Sequence, residues 1–134
     1  MRNLEENLDE TRVAIVNADD ANQFTWGSIQ WLCNGKTAGD AEQTVGYVTI
    51  FAGANNPEHY HPNSDEVLYL IEGELDHSLD DEVFRLTPGT AIHIPRGVRH
   101  NAVNVSDVTA RMVVSYPTPD RQTVFLDAND VGQE

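Results

Sequence analysis

From residue 44 to residue 116 the chain is a succession of short β-rich runs cut by turn residues, and that rhythm excludes most architectures. The runs fall at 44–52, 66–71, 75–79, 83–86, 91–94, 99–105 and 109–116. Gly73, Asp80-Asp81, Pro88-Gly89 and Pro95-Arg96-Gly97 stand between them, and each is a turn signal with a known backbone reason. Weaker strand signals lie at 12–16, 28–33 and 123–126, with loops at 17–22 and 34–40. Residues 1–11 are acidic and polar and read as an arm. No stretch of ten or more residues carries a helical period. Many short strands at close spacing predict an all-β sandwich or barrel. A length of 134 residues suits a single domain over 1–134. It divides into an arm and first strands at 1–43, a barrel core at 44–116, and a strand and tail at 117–134.

Chemistry-bearing residues fall into this frame at telling intervals. His59 and His61 are two apart, so on an extended strand both rings leave the same face. Glu66 follows the turn at 62–65 and can return on a neighbouring strand, and His100 arrives from a distant one. Three imidazoles and one carboxylate form a ligand set for a divalent transition metal, one per chain: Fe, Mn, Ni, Zn or Co. In an octahedral site, four protein ligands leave two positions for water, substrate or dioxygen.

The scaffold residues sharpen this reading. One stretch is Gly53-x5-His59-x-His61-x4-Glu66-x6-Gly73, and a second is Gly89-x5-Pro95-x-Gly97-x2-His100-x3-Asn104. Together they resemble the two motifs of the cupin superfamily, and the chain is similar to small single-domain bacterial cupins. The resemblance is strict over 53–104 and looser over 44–116. It implies a conical jelly-roll barrel (a double-stranded β-helix) with metal inside, held by His59, His61, Glu66 and His100. It also implies the chemistry of that superfamily: dioxygenases, sugar or sugar-acid isomerases, ring-opening enzymes and lyases. Small cupins of this kind commonly pair as homodimers through their N-terminal strands.

Strand phase extends the site. Leu68 and Leu70 are in phase with Glu66, and Ala102 with His100, so these three are expected to line a mainly apolar substrate pocket. Asn104 is in the same phase, and either faces the pocket or bonds loop backbone. His77 and His93 are the candidates for a pocket acid or base, because an imidazole titrates near neutrality; the plainer role for each is an ordinary strand residue. Tyr60 and Tyr69 are out of phase and should point away. Trp26 and Trp31 read as core or interface residues. Arg96 and Arg99 flank a turn where an anionic substrate or plain solvent would meet them. Cys33, the single cysteine, allows no internal disulfide and reads as a packed strand residue.

Charge narrows the partners. Eight basic residues stand against 22 acidic ones, for a formal charge of −14, and Lys36 is the one lysine. Phosphate backbones need clustered Lys and Arg, so no nucleic-acid partner is expected, and anionic membrane surfaces are disfavoured for the same reason. No run approaches the roughly 18 apolar residues of a membrane span. The start lacks the layout of a secretory signal, and a cytoplasmic protein is expected. The expected function is metal-dependent catalysis on a small polar or anionic metabolite. The alternative is a non-catalytic module that binds a small ligand such as a sugar.

Overall fold

A computed structural model describes Val13 and residues 20–134. The arm at 1–11 and the run at 12–16, Val13 apart, lie outside the described residues. Eleven strands follow among those described: β1 (Asn22–Gln23), β2 (Gly27–Cys33), β3 (Thr44–Ile50), β4 (His59–Tyr60), β5 (Glu66–Glu72), β6 (Leu75–Leu79), β7 (Glu82–Leu86), β8 (Ala91–Ile94), β9 (Ala102–Asn104), β10 (Ala110–Tyr116) and β11 (Val124–Phe125). A 3₁₀ turn at Ala128–Asp130 is capped by the Asp127 side chain. No described helix is long and apolar enough to cross a membrane.

The strands form two facing sheets. One has the order β1-β2-β3-β10-β5-β8, antiparallel throughout. The other combines β7-β6-β9 with the pair β11-β4. Isolated bridges at Asn55↔Val103 and His59↔His100 join those two pieces. This is the all-β jelly-roll barrel that the strand rhythm and the motif resemblance predict.

Period-2 burial shows why these residues make these strands. In β5, Glu66, Leu68 and Leu70 are buried while Val67, Tyr69 and Ile71 are exposed. In β10, Ala110, Met112, Val114 and Tyr116 face inward. The apolar core runs between the sheets through Ile29, Ile50, Leu75 and Ile94. Burying such side chains contributes roughly 1.5–3 kcal/mol each.

The turns behave as their residues require. Gly73 sits at φ +90°, and a Cβ there would meet the Cα and Cβ of Ala110 at 2.9 Å, so only glycine fits. The hairpin between β6 and β7 turns at Asp80, whose φ of 52° is one that Asp tolerates.

Two expectations are adjusted here. The run at 99–105 is ladder-paired only over Ala102–Asn104. Upstream, the Ala102 amide goes to the Asn56 side chain at 2.7 Å instead of to a neighbouring backbone carbonyl, so regular pairing stops. Glu66 does not return beside the histidine strand either. β4 pairs with β11, while β5 lies between β10 and β8, so Glu66 belongs to the facing sheet.

Candidate metal centre

The site assembles where the sheets face each other. His59 and His100 are paired across an antiparallel bridge, with amide-to-carbonyl distances of 3.0 and 2.8 Å. His61 follows β4, and its carbonyl accepts the Gly97 amide at 3.0 Å, which ties the Pro95–Gly97 turn to the site. Glu66 enters from the start of β5. One ligand atom from each of His59, His61 and His100 lies within 4.8 Å of the other two. Glu66 Oε1 is 3.2 Å from His61 Nε2 and 3.3 Å from His100 Nε2. All four side chains are buried.

Each imidazole is oriented by its other nitrogen. His59 Nδ1 meets the Pro57 carbonyl at 2.7 Å, His61 Nδ1 the Gln122 carbonyl at 2.8 Å, and His100 Nδ1 the Val98 carbonyl at 2.9 Å. A carbonyl only accepts, so each Nδ1 carries the proton and donates it. In the neutral ring, Nε2 then holds a lone pair aimed at the centre. His61 Nε2, His100 Nε2 and Glu66 Oε1 are buried and have no hydrogen-bond partner. Lone pairs and a carboxylate oxygen that face one another without a donor need a cation between them. A buried carboxylate left unmatched costs several kcal/mol. The donor set therefore fits a divalent metal, and the second nitrogen of each ring is held as metal-bound histidines require.

Without a bound metal, protons on the ring nitrogens take over its part in the charge balance. Burial pushes the Glu66 carboxyl up, but His100 and His61 outweigh it and hold the group well below the usual carboxylate range. Burial pushes His59 down, and the Glu134 carboxylate beside it reverses that and raises it. Tyr116 packs its ring edge-on against His61, with centroids 5.1 Å apart. Burial, then the Glu66 charge, raise the Tyr116 hydroxyl well above its ordinary value, so it stays protonated.

The enclosed cavity at this centre measures about 20 Å³. Leu68 and Ala102 line it, as phase predicts. Leu70 does not: it is in the right phase but is packed entirely within the apolar core. Asn104 does not line it either. Its amide donates to the Ile50 and Val108 carbonyls at 2.9 and 2.8 Å, and its Oδ1 accepts from Ser106, so it clamps the loop backbone. His77 is buried at the cavity wall with its ring stacked on His100, centroids 5.8 Å apart. His93 is outside, exposed and paired with Asp65 at 2.8 Å, because its strand neighbours Ile92 and Ile94 take the inner face. Arg96 is exposed, and Arg99 pairs with Asp81 and Glu58, so neither lines the cavity. Tyr69 points outward as expected.

Three residues that sequence reasoning did not single out complete the surroundings: Tyr116, Arg121 and Glu134. Glu134 Oε1 is 2.9 Å from His59 Nε2 and 3.4 Å from Arg121 Nη1. Burial pushes the Glu134 carboxyl up, and His59 and Arg121 bring it below the ordinary value. The Arg121 guanidinium lies 4.4 Å over the Trp31 ring, so Trp31 is a platform beside the site and not simply a core residue.

Comparison with known proteins agrees with this geometry. Residues 46–116, more than half of the chain, match the family described as Cupin domain. Protein SchB of Streptomyces halstedii is 33% identical over 129 residues, covering 92% of this chain and 94% of that protein. Polyketide synthase CurC of Streptomyces cyaneus is 36% identical over 102 residues, covering 76% of this chain and 66% of its own length. Among solved structures, the formate complex of Lactobacillus farciminis oxalate decarboxylase superposes with a TM-score of 0.74 at 20% identity. That likeness covers 79% of this chain and a third of the decarboxylase, and it speaks to the fold alone. The barrel, the two motifs and the cluster of inward histidines thus have one explanation: the chain belongs to the cupin family.

Proposed function

We propose that the protein is a metal-dependent enzyme acting on a small, enolisable metabolite of the β-dicarbonyl or phenolic type that polyketide assembly produces. The observation that carries the proposal is the set of Nε2 lone pairs on His59, His61 and His100, turned with Glu66 toward one point by backbone acceptors on Nδ1. His59, His61, Glu66 and His100 would hold one divalent metal per chain, of the Fe, Mn, Ni, Zn or Co group. When bound, such a metal polarises a carbonyl or enolate oxygen as a Lewis acid. The chain's own residues then have separate tasks. Tyr116, kept protonated by burial and by the Glu66 charge, packs against His61 and closes that side of the site. Leu68 and Ala102 keep water from the cavity wall. The substrate class is supported by the near full-length similarity to Protein SchB and by the name of CurC as a polyketide synthase protein.

Elemental analysis of protein purified without added metal tests the first half. About one equivalent of a transition metal is expected; less than about a tenth, with no uptake on reconstitution, would sink the proposal. The second half is tested by incubating the Fe(II) and Mn(II) forms with acetylacetone and with catechols, following both oxygen uptake and loss of substrate absorbance. Turnover of uronates or keto sugars instead would move the assignment to a sugar isomerase or ring-opening enzyme.

We also propose that two copies pair as a homodimer. Val67, Tyr69 and Ile71 give β5 an exposed apolar outer face, and among the described residues β1 is the last strand at one side of the larger sheet. Sedimentation at micromolar concentration should give twice the chain mass of 14.9 kDa. A single-chain mass would reject the pairing.

A further inference from the structure

Glu134 stands at the boundary of two spaces. On its inner side is the cavity of about 20 Å³ at the histidines, room for one water. On its outer side is an open groove of about 880 Å³, walled by Trp31, Phe125, Lys36 and Arg121. That groove is of the size that holds small organic ligands. Glu134 and Trp31 line both spaces. The Glu134 side chain therefore stands between the groove and the histidines.

We propose that Arg121 forms a carboxylate-binding subsite at the mouth of the barrel, beside the metal ligand His59, and that Glu134 fills it as a tethered occupant which an anionic ligand displaces. The ligand class is a small aromatic or conjugated acid. Its carboxylate takes the place of the Glu134 carboxylate, and its apolar body lies in the groove against Trp31 and Phe125. This deepens the functional proposal above, although the subsite itself consists of this chain's side chains alone.

Three observations support displacement over a permanent structural pair. The pairing is incomplete: Glu134 Oε1 meets Arg121 Nη1 at 3.4 Å, while Glu134 Oε2 and Arg121 Nε are buried without any partner. An arginine satisfied by a carboxylate makes two parallel, shorter bonds, so the subsite is poorly filled by its present occupant. The guanidinium is nonetheless held in place, by the Trp31 and Tyr116 rings and by a hydrogen bond to Thr123, as a preformed site requires. Finally, the segment carrying Glu134 is lightly attached. Apart from the Glu134 carboxylate, its attachments are the Trp26 indole donating to the Gln133 carbonyl at 3.1 Å and the Gln133 amide donating to the Asp130 carbonyl at 3.0 Å, and Gly132 turns the chain at φ +88° in space where a Cβ would touch nothing within 4 Å.

A tethered carboxylate competes at a high effective concentration, and the apparent affinity of a free one falls by the fraction of molecules left open. The test is calorimetric titration of benzoate into metal-free protein, at one pH and ionic strength, for the wild type, Glu134→Gln and a chain ended at Val131. Both altered proteins should bind benzoate at least about tenfold more tightly than the wild type. Arg121→Gln, added to the shortened chain, should abolish the gain. Arg121→Lys should restore part of it, which separates loss of the subsite from loss of the fold. Affinities within about twofold across wild type, Glu134→Gln and the shortened chain would overturn the proposal, as would a gain that survives Arg121→Gln. Cobalt(II) stoichiometry of the same proteins is read separately. The benzoate pattern without cobalt uptake would reject the metal assignment and keep the subsite; cobalt uptake without the pattern would do the reverse.

Discussion

Saturating divalent metal is expected to raise the melting temperature by roughly 10–20 °C, and His61→Ala is expected to erase that rise. A ligand that binds only the folded state at a thousand times its dissociation constant stabilises by about 4 kcal/mol, and in a domain of this size that corresponds to a shift of this order. The folded site is prearranged for the metal. Three rings are locked by carbonyls from Pro57, Gln122 and Val98, and the carboxylate of Glu66 arrives from the opposite sheet. The unfolded chain has no such arrangement. Replacing a residue that merely orients a ligand costs 10–100-fold in metal affinity, so removing a ligand outright should cost more. His61→Ala should nonetheless stay folded, because the ring is packed by Tyr116 and bonded to one carbonyl, and the cavity core lies elsewhere. Glu66→Gln is a sharper variant, since it keeps the side-chain shape and removes the charge. Thermal melts with zinc, manganese and EDTA, run on all three proteins, read the effect. Equal metal-dependent shifts in wild type and His61→Ala would mean that His61 is not a ligand. No shift in the wild type would reject the metal centre.

Strand phase and turn residues made much of this site legible, and where they failed the reason is physical. The i, i+2 spacing of His59 and His61 and the phase of Leu68 and Ala102 are properties of extended backbone, and the structure places all four accordingly. Phase reports a face and not a depth, so it puts Leu70 on the pocket's face although Leu70 lies beyond the pocket in the core. For His93 the sequence does carry a signal. It alternates with Ile92 and Ile94, whose burial turns it to solvent, and the same rule puts His77 inside with Leu75. Arg121 and Glu134 are different in kind. They meet His59 and Trp31 across separations of 60 residues or more, through a segment that lies over the barrel mouth. Neither local spacing nor periodicity encodes such a contact.

His77 predicts a second large effect, on stability against acid. Burial, followed by the neighbouring His100, lowers this imidazole from 6.5 to about 4 in the folded protein. The groups that face it are His100, Glu66 and His59, and its own Nδ1 donates to the Ser78 carbonyl at 3.1 Å. Between those two values the unfolded chain takes up a proton at His77 and the folded chain does not. Stability therefore rises with pH across this window. The contribution is fully present above about pH 6.5 and is lost as pH falls toward 4, where it amounts to about 3 kcal/mol. Against a typical total of about 5–15 kcal/mol, that loss is large. His77→Asn removes the titration while keeping a donor near Ser78. Urea unfolding in EDTA at pH 7.5, 5.5 and 4.2 should show the wild type losing about 3 kcal/mol relative to His77→Asn across the series. Taking this difference cancels the titrations of Glu66, Glu134 and His59, which both proteins share. Parallel pH profiles for the two proteins would show that His77 takes up its proton as readily in the folded barrel as in the unfolded chain, and that its stacking on His100 imposes no penalty.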